Sequence, residues 1–343
     1  MQFLVPIFDT EFSPPMLTHA FWTVEPGRGE IRELELLAPE VGEVRVRALF
    51  SGISRGTESL VFSGEVPESE FERMRAPFQQ GEFPAPIKYG YASVGVVEAG
   101  EGDAARALIG LPVFCLFPHQ CDYVVPAAAV VPLPDGLPPA RAVLAANMET
   151  AVNALWDAAP AVGDRIAVIG GGVVGSLVAW LCSRMPGTRV ELIDINPARA
   201  ALADALGVSF RLPAEATPEC DLVFHASGNP AGLRQALGLA GQDATVIEMS
   251  WFGRQEVCLP LGGAFHARRL TLRSSQVGRI PPPRAPRWAY RQRMELALSL
   301  LTDPCLDALI SGESDFLDLP AHMPQLLGAP GSTLCHRIRY PSV

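Results

Sequence analysis

Lysine is almost missing from this chain. Lys88 is its one example in 343 residues, although lysine and arginine together number 27 against 37 acids, for a formal net charge of −10. Set beside abundant arginine, alanine, glycine and proline, the deficit reads as compositional bias rather than function. The acidic total removes any global attraction to nucleic acid. Long apolar runs are missing too. None reaches the ~18 residues that a membrane span needs, so no membrane partner is expected. The start of the chain, MQFLVPIFDTEFSPP, has no basic opening and carries acids early, which argues against a secretory leader. Cysteine is scattered and odd in number, seven in all. That pattern fits free thiols and a cytoplasmic location, not a disulfide framework. Apolar residues are plentiful, 48% with 19% charged, which excludes a disordered chain. The length points to about two domains.

The stretch Arg165–Asp194 organises the rest. An apolar run, Ile166 to Ile169, reads as a strand buried on both faces. It opens into Gly170-Gly171-Gly172-Val173-Val174-Gly175, and a helical apolar pattern follows from Ser176 to Cys182. A second strand, Arg189–Ile193, ends on Asp194. Gly170 permits a tight turn, Gly172 lets backbone approach a pyrophosphate, and Gly175 lets the helix pack close to the strand. Free N–H groups at the helix start then meet the phosphates. Asp194, about 20 residues on, accepts from the adenosine ribose hydroxyls and repels a 2′-phosphate, so NAD(H) is expected over NADP(H).

Taken in order, residues 1–146 read as mostly β. Ala20–Val24, Ile31–Leu37 and Glu43–Leu49 are short strands, followed by a loop of small residues, Ser51–Glu58. Gly64–Pro86 reads as a surface loop or lid with one short helix at Ser69–Met74. Val113–Val125 gives further strand, with a bend at Phe117-Pro118-His119. The period turns helical from Ala140 to Ala159. Leu222–Ala226, Thr245–Met249 and Leu270–Arg273 continue as strands. Helices are expected at Ala198–Leu206, between Asn196-Pro197 and Gly207, and at Trp288–Thr302. Leu306–Val343 returns to mixed short elements.

Two clusters invite a sharper reading. Cys115, His119 and Cys121 share one side of an extended segment, but donors four and two residues apart on a strand are spread over about 13 and 7 Å. One ion would need a sharp bend, so strand packing, with His119 near a cleft, is the reading kept. Arginine is dense after the last strand: Arg268, Arg269, Arg273, Arg279, Arg284, Arg287, Arg291 and Arg293. A solvated or dimer-edge face is expected there ahead of an anionic-substrate site, with nucleic acid last.

A Rossmann unit in mid-chain, entered from a β-rich half and left for a short tail, resembles the medium-chain dehydrogenase/reductase superfamily. Glu43–Leu49 before the loop, Gly90 to Gly95, the helix holding Thr150, and Asp194-Ile195-Asn196-Pro197-Ala198-Arg199 carry the likeness over nearly the whole chain. The loop Ser51–Glu58 is most similar to the bacteriochlorophyllide dehydrogenase-like subgroup. The resemblance implies an α/β fold with two parts. Residues 147–276 form a Rossmann dinucleotide-binding domain with a parallel sheet, and residues 1–146 and 277–343 form a β-rich GroES-like catalytic domain. It also implies a homodimer paired along the last Rossmann strand.

Zinc enzymes of the superfamily hold their metal with a Cys in the active-site loop, a His-Glu pair after a glycine, and a Cys before the Thr150 helix. Here those positions correspond to Ser54 or its neighbour, Tyr91-Ala92, and Ala146, so no zinc is expected. Four residues are then candidates for proton work. Tyr91 is a donor to a substrate oxygen or a filler of the metal's space, and Glu58 is a base or the ion-pair partner of Arg55. Thr57 can touch the nicotinamide or a hydroxyl, and His119 has the side chain best suited to acid–base work. By the same resemblance Gly170, Gly172, Val173, Val174 and Gly175 hold the pyrophosphate, with Asp194 and Arg199 at the ribose and adenine. Thr150, Ser227, Ser250 and Ser274 lie along the rest of the cofactor. Two classes of function stay open. One is a metal-independent NAD(H) oxidoreductase acting on a small molecule, at a carbonyl or a conjugated double bond. The other is a non-catalytic NAD(H)-binding sensor or interaction protein.

Overall fold

The computed structural model describes residues 16–328 and 333–341, so the reading of the first fifteen residues lies outside it. Near the start of the described chain, Pro26-Gly27 closes a hairpin between β1 (Met16–Glu25) and β2 (Arg28–Leu36), with Gly27 at φ +81°. Next come β3 (Glu43–Ile53), α1 (Arg55–Phe62), β4 (Ser93–Gly100), β5 (Pro112–Cys115), β6 (Asp122–Pro126) and β7 (Val130–Pro132). The expected strand over Val113–Val125 is thus two strands, because Leu116 to Cys121 leaves the ladder at the Pro118 bend. The helix expected at Ser69–Met74 is a single 3₁₀ turn, Glu68–Glu70. The helical stretch from Ala140 is also broken in two, into Pro139–Ala142 and α2 (Ala145–Ala158).

Six parallel strands follow: β8 (Arg165–Ile169), β9 (Arg189–Ile193), β10 (Ser209–Arg211), β11 (Cys220–His225), β12 (Ala240–Glu248) and β13 (Thr271–Ser274). Their order is β10-β9-β8-β11-β12-β13, the doubly wound arrangement whose ligand crevice opens beside the first strand. β10 went unread in the sequence because three residues, two of them exposed, carry no usable period. Between β8 and β9 runs α3 (Val173–Ser183), and between β11 and β12 runs α4 (Pro230–Leu239), capped by Asn229. After α5 (Tyr290–Leu300), β14 (Ile310–Asp315) and β15 (Cys335–Arg339) return to the first half of the molecule. β15 pairs antiparallel with β3, setting Arg339 beside Phe50 and His336 beside Ile53. Strands from the first half, beginning at β3, and the last two strands therefore build one seven-stranded sheet, while β1 and β2 belong to a separate four-stranded one.

One apolar core joins the two parts. It runs from Val94 and Phe114 through Met148 and Val152 on α2 to Ile166 and Leu177. The arginine-rich segment is not solvated throughout. Arg293 is 2% exposed, with Nε 3.1 Å from Glu149 Oε1 and Nη2 donating to the Val277 carbonyl at 2.7 Å. Trp288 packs on Trp156 at 4.8 Å, with the Arg284 guanidinium over the Trp156 ring. A helix that clamps α2 needs such a buried pair, and no periodicity distinguishes Arg293 from its exposed neighbours. No helix among the described residues is long and apolar enough to cross a membrane.

Candidate active site

Three of the four glycines after β8 do three different things. Gly170 takes φ +109°, and a Cβ there would meet Ser227 N at 2.7 Å. A Cβ on Gly175 would lie 1.9 Å from the Gly170 carbonyl oxygen, so α3 sits against the turn only because that atom is absent. At Gly172 a Cβ would meet nothing within 4 Å. That side of the loop is open, and it faces outward from the first turn of α3. This combination of turn, open approach and close packing fits a dinucleotide pyrophosphate.

Asp194 ends β9 and reaches back across the crevice. Its carboxylate accepts from Gly171 N–H at 2.6 Å and from Asn196 N–H at 2.8 Å, which fixes its orientation at the ribose position. Each oxygen keeps acceptor capacity for a hydroxyl. Arg199 lies alongside, its Cγ 3.2 Å from where a Gly171 Cβ would be. Arg55, at the start of α1, feels Arg199 as a like charge, and burial and that repulsion together lower its pKa. Two guanidiniums that are 144 positions apart in the chain are thus near enough to repel one another. The sequence reading had Arg55 as a partner for Glu58, which the structure contradicts.

Glu58 pairs with His119 instead. Glu58 Oε1 accepts from Ser54 N–H at 2.7 Å, and Oε2 lies 3.0 Å from His119 Nε2, with both side chains under 5% exposed. His119 Nδ1 is 2.7 Å from Ser51 Oγ, which is 3.0 Å from the Tyr340 hydroxyl. With Glu58 as a carboxylate, Nε2–H donates to it, Ser51 donates to Nδ1, and Tyr340 donates to Ser51. Gly90 makes room, since its Cβ would stand 3.1 Å from the His119 ring. The loop preference for Arg55 loses because the imidazole comes from the 116–121 bend, far away in sequence.

Tyr91 lies close enough to this pair to feel the Glu58 charge, with the Ser54 and Thr57 side chains near its phenol. Burial, then the Glu58 charge, push that phenol up to about 12, while the Ser54 and Thr57 hydroxyls oppose the rise. It is a neutral donor at physiological pH. Asn147 on α2 donates to Ser54 Oγ at 3.2 Å, so the loop, Tyr91 and the start of α2 meet at one point.

Across the crevice, the strand ends are in register: Ile169 beside Ile193 and His225, His225 beside Glu248, and Glu248 beside Ser274. Ser227 and Ser250 therefore follow two neighbouring strands at one level. Ser250 Oγ accepts from Gly228 N–H at 3.0 Å. The Thr150 hydroxyl donates to the Ala146 carbonyl at 3.0 Å within α2, a bond that any helical threonine can make.

No family model matches this chain. Among curated proteins, L-threonine 3-dehydrogenase of Rhizobium rhizogenes is 29% identical over 143 residues, 42% of this chain and 41% of that protein. The chain thus matches about two fifths of that relative's length. Among solved structures, 2R,3R-butanediol dehydrogenase from Bacillus subtilis is similar with a TM-score of 0.76 and 19% identity, over 95% of this chain and 100% of that one. An alcohol dehydrogenase from Escherichia coli CFT073, solved with NADH, aligns with a TM-score of 0.74 and 17% identity over 94% and 99%. This chain has the medium-chain dehydrogenase/reductase fold. The resemblance puts Ser54 or its neighbour, Tyr91, Ala92 and Ala146 at the positions that hold zinc in the superfamily's zinc enzymes. Catalytic zinc takes about three donors from thiolate, imidazole or carboxylate. A hydroxyl, a neutral phenol and two methyl groups do not fit it. Both His119 nitrogens are already engaged. Burial pushes the Cys115 and Cys121 thiols up to about 12, away from the thiolate a metal needs. Among the described residues no group of three or more His, Cys, Asp or Glu is placed to share an ion.

Sequence reasoning missed Ser51, Asn147 and Tyr340. Tyr340 lies 289 positions from Ser51, and only the β3–β15 pairing joins them.

Proposed function

We propose that this chain is an NAD(H)-dependent oxidoreductase that works without metal, moving hydride to or from a small alcohol or carbonyl compound. The observation that carries the reading is Tyr91, a neutral phenol placed near Ser54, Thr57 and the Glu58–His119 pair. The relatives and structural neighbours, named for alcohols and polyols, favour a carbonyl substrate over a conjugated double bond. A protein that had kept only cofactor binding would have no use for this set of converging polar side chains.

Bound NADH would supply the hydride. Gly170, Gly172, Val173, Val174 and Gly175 would hold its pyrophosphate with Arg55, while Asp194 and Arg199 meet the adenosine ribose. Ser227, Ser250 and Ser274 line the remaining strand ends, and residues 147–276 act as the cofactor unit. Tyr91 donates a hydrogen bond to the substrate oxygen, where negative charge develops as hydride arrives. Ser54 and Thr57 keep the phenol aimed. Glu58 and His119 hold the loop that bears them, and His119 sits two bonds from Tyr340 through Ser51.

Three measurements test this reading. Calorimetry should give tighter binding of NADH than NADPH, with Asp194→Ala closing the gap. Equal affinities in the unaltered chain would refute the ribose assignment. Elemental analysis of protein purified without added metal should find well under one zinc per chain, and chelators should leave turnover unchanged. Stoichiometric zinc would end the metal-free reading. The exposed edge β13 suits pairing with a second copy, and sedimentation as a micromolar monomer would contradict that.

A further inference from the structure

β11 ends on His225 and turns through Ala226, Ser227 and Gly228 into α4. Gly228 takes φ +65°, and Asn229 caps the helix by accepting from Ala231 N–H at 2.9 Å. Ser227 is exposed on this turn, and His225 beneath it is 0% exposed. Ser227 Oγ lies 2.6 Å from His225 Nε2, and His225 Nδ1 lies 2.7 Å from Glu248 Oε2 on β12. The second Glu248 oxygen accepts from Ser250 N–H at 2.6 Å, which fixes the carboxylate. Hydroxyl, imidazole and carboxylate thus form one line. The helix is built around it, for a Cβ on Gly232 would stand 2.5 Å from Ser227 Oγ and 2.8 Å from His225 Nε2.

A carboxylate on Nδ1 selects the Nδ1–H tautomer and leaves the Nε2 lone pair for the serine proton. Those are the roles of orienting acid, base and nucleophile. A serine on a sharp strand-to-helix turn, exposed above a parallel sheet, is also where nucleophilic hydrolases carry theirs. The hydride chemistry proposed above uses neither His225 nor Glu248.

We propose that Ser227, His225 and Glu248 form an acylatable serine centre that reacts with activated carboxylic esters. Ser227 Oγ adds to the ester carbonyl carbon while its proton passes to His225 Nε2. The tetrahedral adduct then expels the aryl oxide, breaking its bond to the acyl carbon, and the acyl group stays on Ser227. Nothing is oxidised or reduced. The neighbouring amides are already engaged: Gly228 N–H donates to Ser250 Oγ at 3.0 Å and Asn229 N–H to Ser227 Oγ at 3.2 Å. With no ready pair of donors for the oxyanion, reaction depends on a good leaving group. An aryl oxide is one and the serine alkoxide is not, so the acyl-enzyme accumulates.

The test is 4-nitrophenyl acetate added to the cofactor-free chain. A burst of one nitrophenolate per chain is expected, with one acetyl group mapped to Ser227 by peptide mass spectrometry. Background on amines is low, since Lys88 is the one lysine and is 1% exposed. Ser227→Ala should abolish the burst. His225→Gln should slow it about a hundredfold, the usual size of a general-base contribution, with circular dichroism to check folding. An acetyl group absent from Ser227 in the unaltered chain overturns the proposal. So does a folded His225→Gln variant that acetylates at the original rate. If that variant does not fold, Glu248→Gln takes its place under the same criterion.

Discussion

Tyr91→Phe should lower turnover about a hundredfold or more while leaving NADH affinity nearly intact. The substitution removes one hydroxyl and no packing, so the ring still fills the space between Ser54, Thr57 and the Glu58–His119 pair. A donor aimed at developing negative charge in a water-poor site is worth roughly 3–4 kcal/mol of transition-state stabilisation. The loss falls on the chemical step, not on binding, so kcat and kcat/KM should drop together. Steady-state kinetics on any turned-over alcohol, beside a fluorescence titration with NADH, separates the two. A phenylalanine variant with normal turnover would make Tyr91 a space-filler and move the donor's role to His119 or Thr57. Because burial and the Glu58 charge hold the phenol up to about 12, the donor stays protonated across the ordinary working range. No loss of activity from Tyr91 ionisation is expected between neutrality and mildly alkaline pH.

The second large effect belongs to Gly175. Gly175→Ala places a methyl 1.9 Å from the Gly170 carbonyl oxygen, a backbone atom that cannot rotate away. The start of α3 must lift off the β8 turn. Overpacking of this kind costs about 1–3 kcal/mol, occasionally more. It also swings the free N–H groups of the helix away from the phosphates, so NADH affinity should fall about a hundredfold or more. Gly172→Ala is the control, since a Cβ there meets nothing within 4 Å in the chain itself. It should leave thermal stability nearly unchanged and act on cofactor binding alone. A Gly175→Ala variant with unaltered melting and unaltered NADH affinity would contradict the close-packing argument.

The cofactor half was legible because its signals are local. A both-faces-buried strand, three glycines and an acid about 20 residues on are fixed by backbone sterics within one β-α-β unit. The structure gives β8, α3 and β9 where the sequence puts them, with α3 beginning one turn earlier than the apolar period alone suggested. β10 escaped notice because its three residues draw their structure from pairing with β9, which no local pattern encodes.

What the sequence determined, then, is the nature of the parts: a glycine turn, an acid at a strand end, a phenol just after Gly90, and an acidic chain with one lysine. The tertiary structure alone decided their partners. Glu58 looked available to Arg55, three residues before it, yet it pairs with His119, brought in by the bend between β5 and β6. Arg55 instead feels the like charge of Arg199, far away in sequence. Arg293 looked like one of eight surface arginines and is buried against Glu149. The Ser227–His225–Glu248 line exists because β11 and β12 run parallel in one register. A buried polar group must find a hydrogen-bond partner wherever the fold brings one, and for these residues the partner is distant in sequence, where composition, period and spacing carry no information.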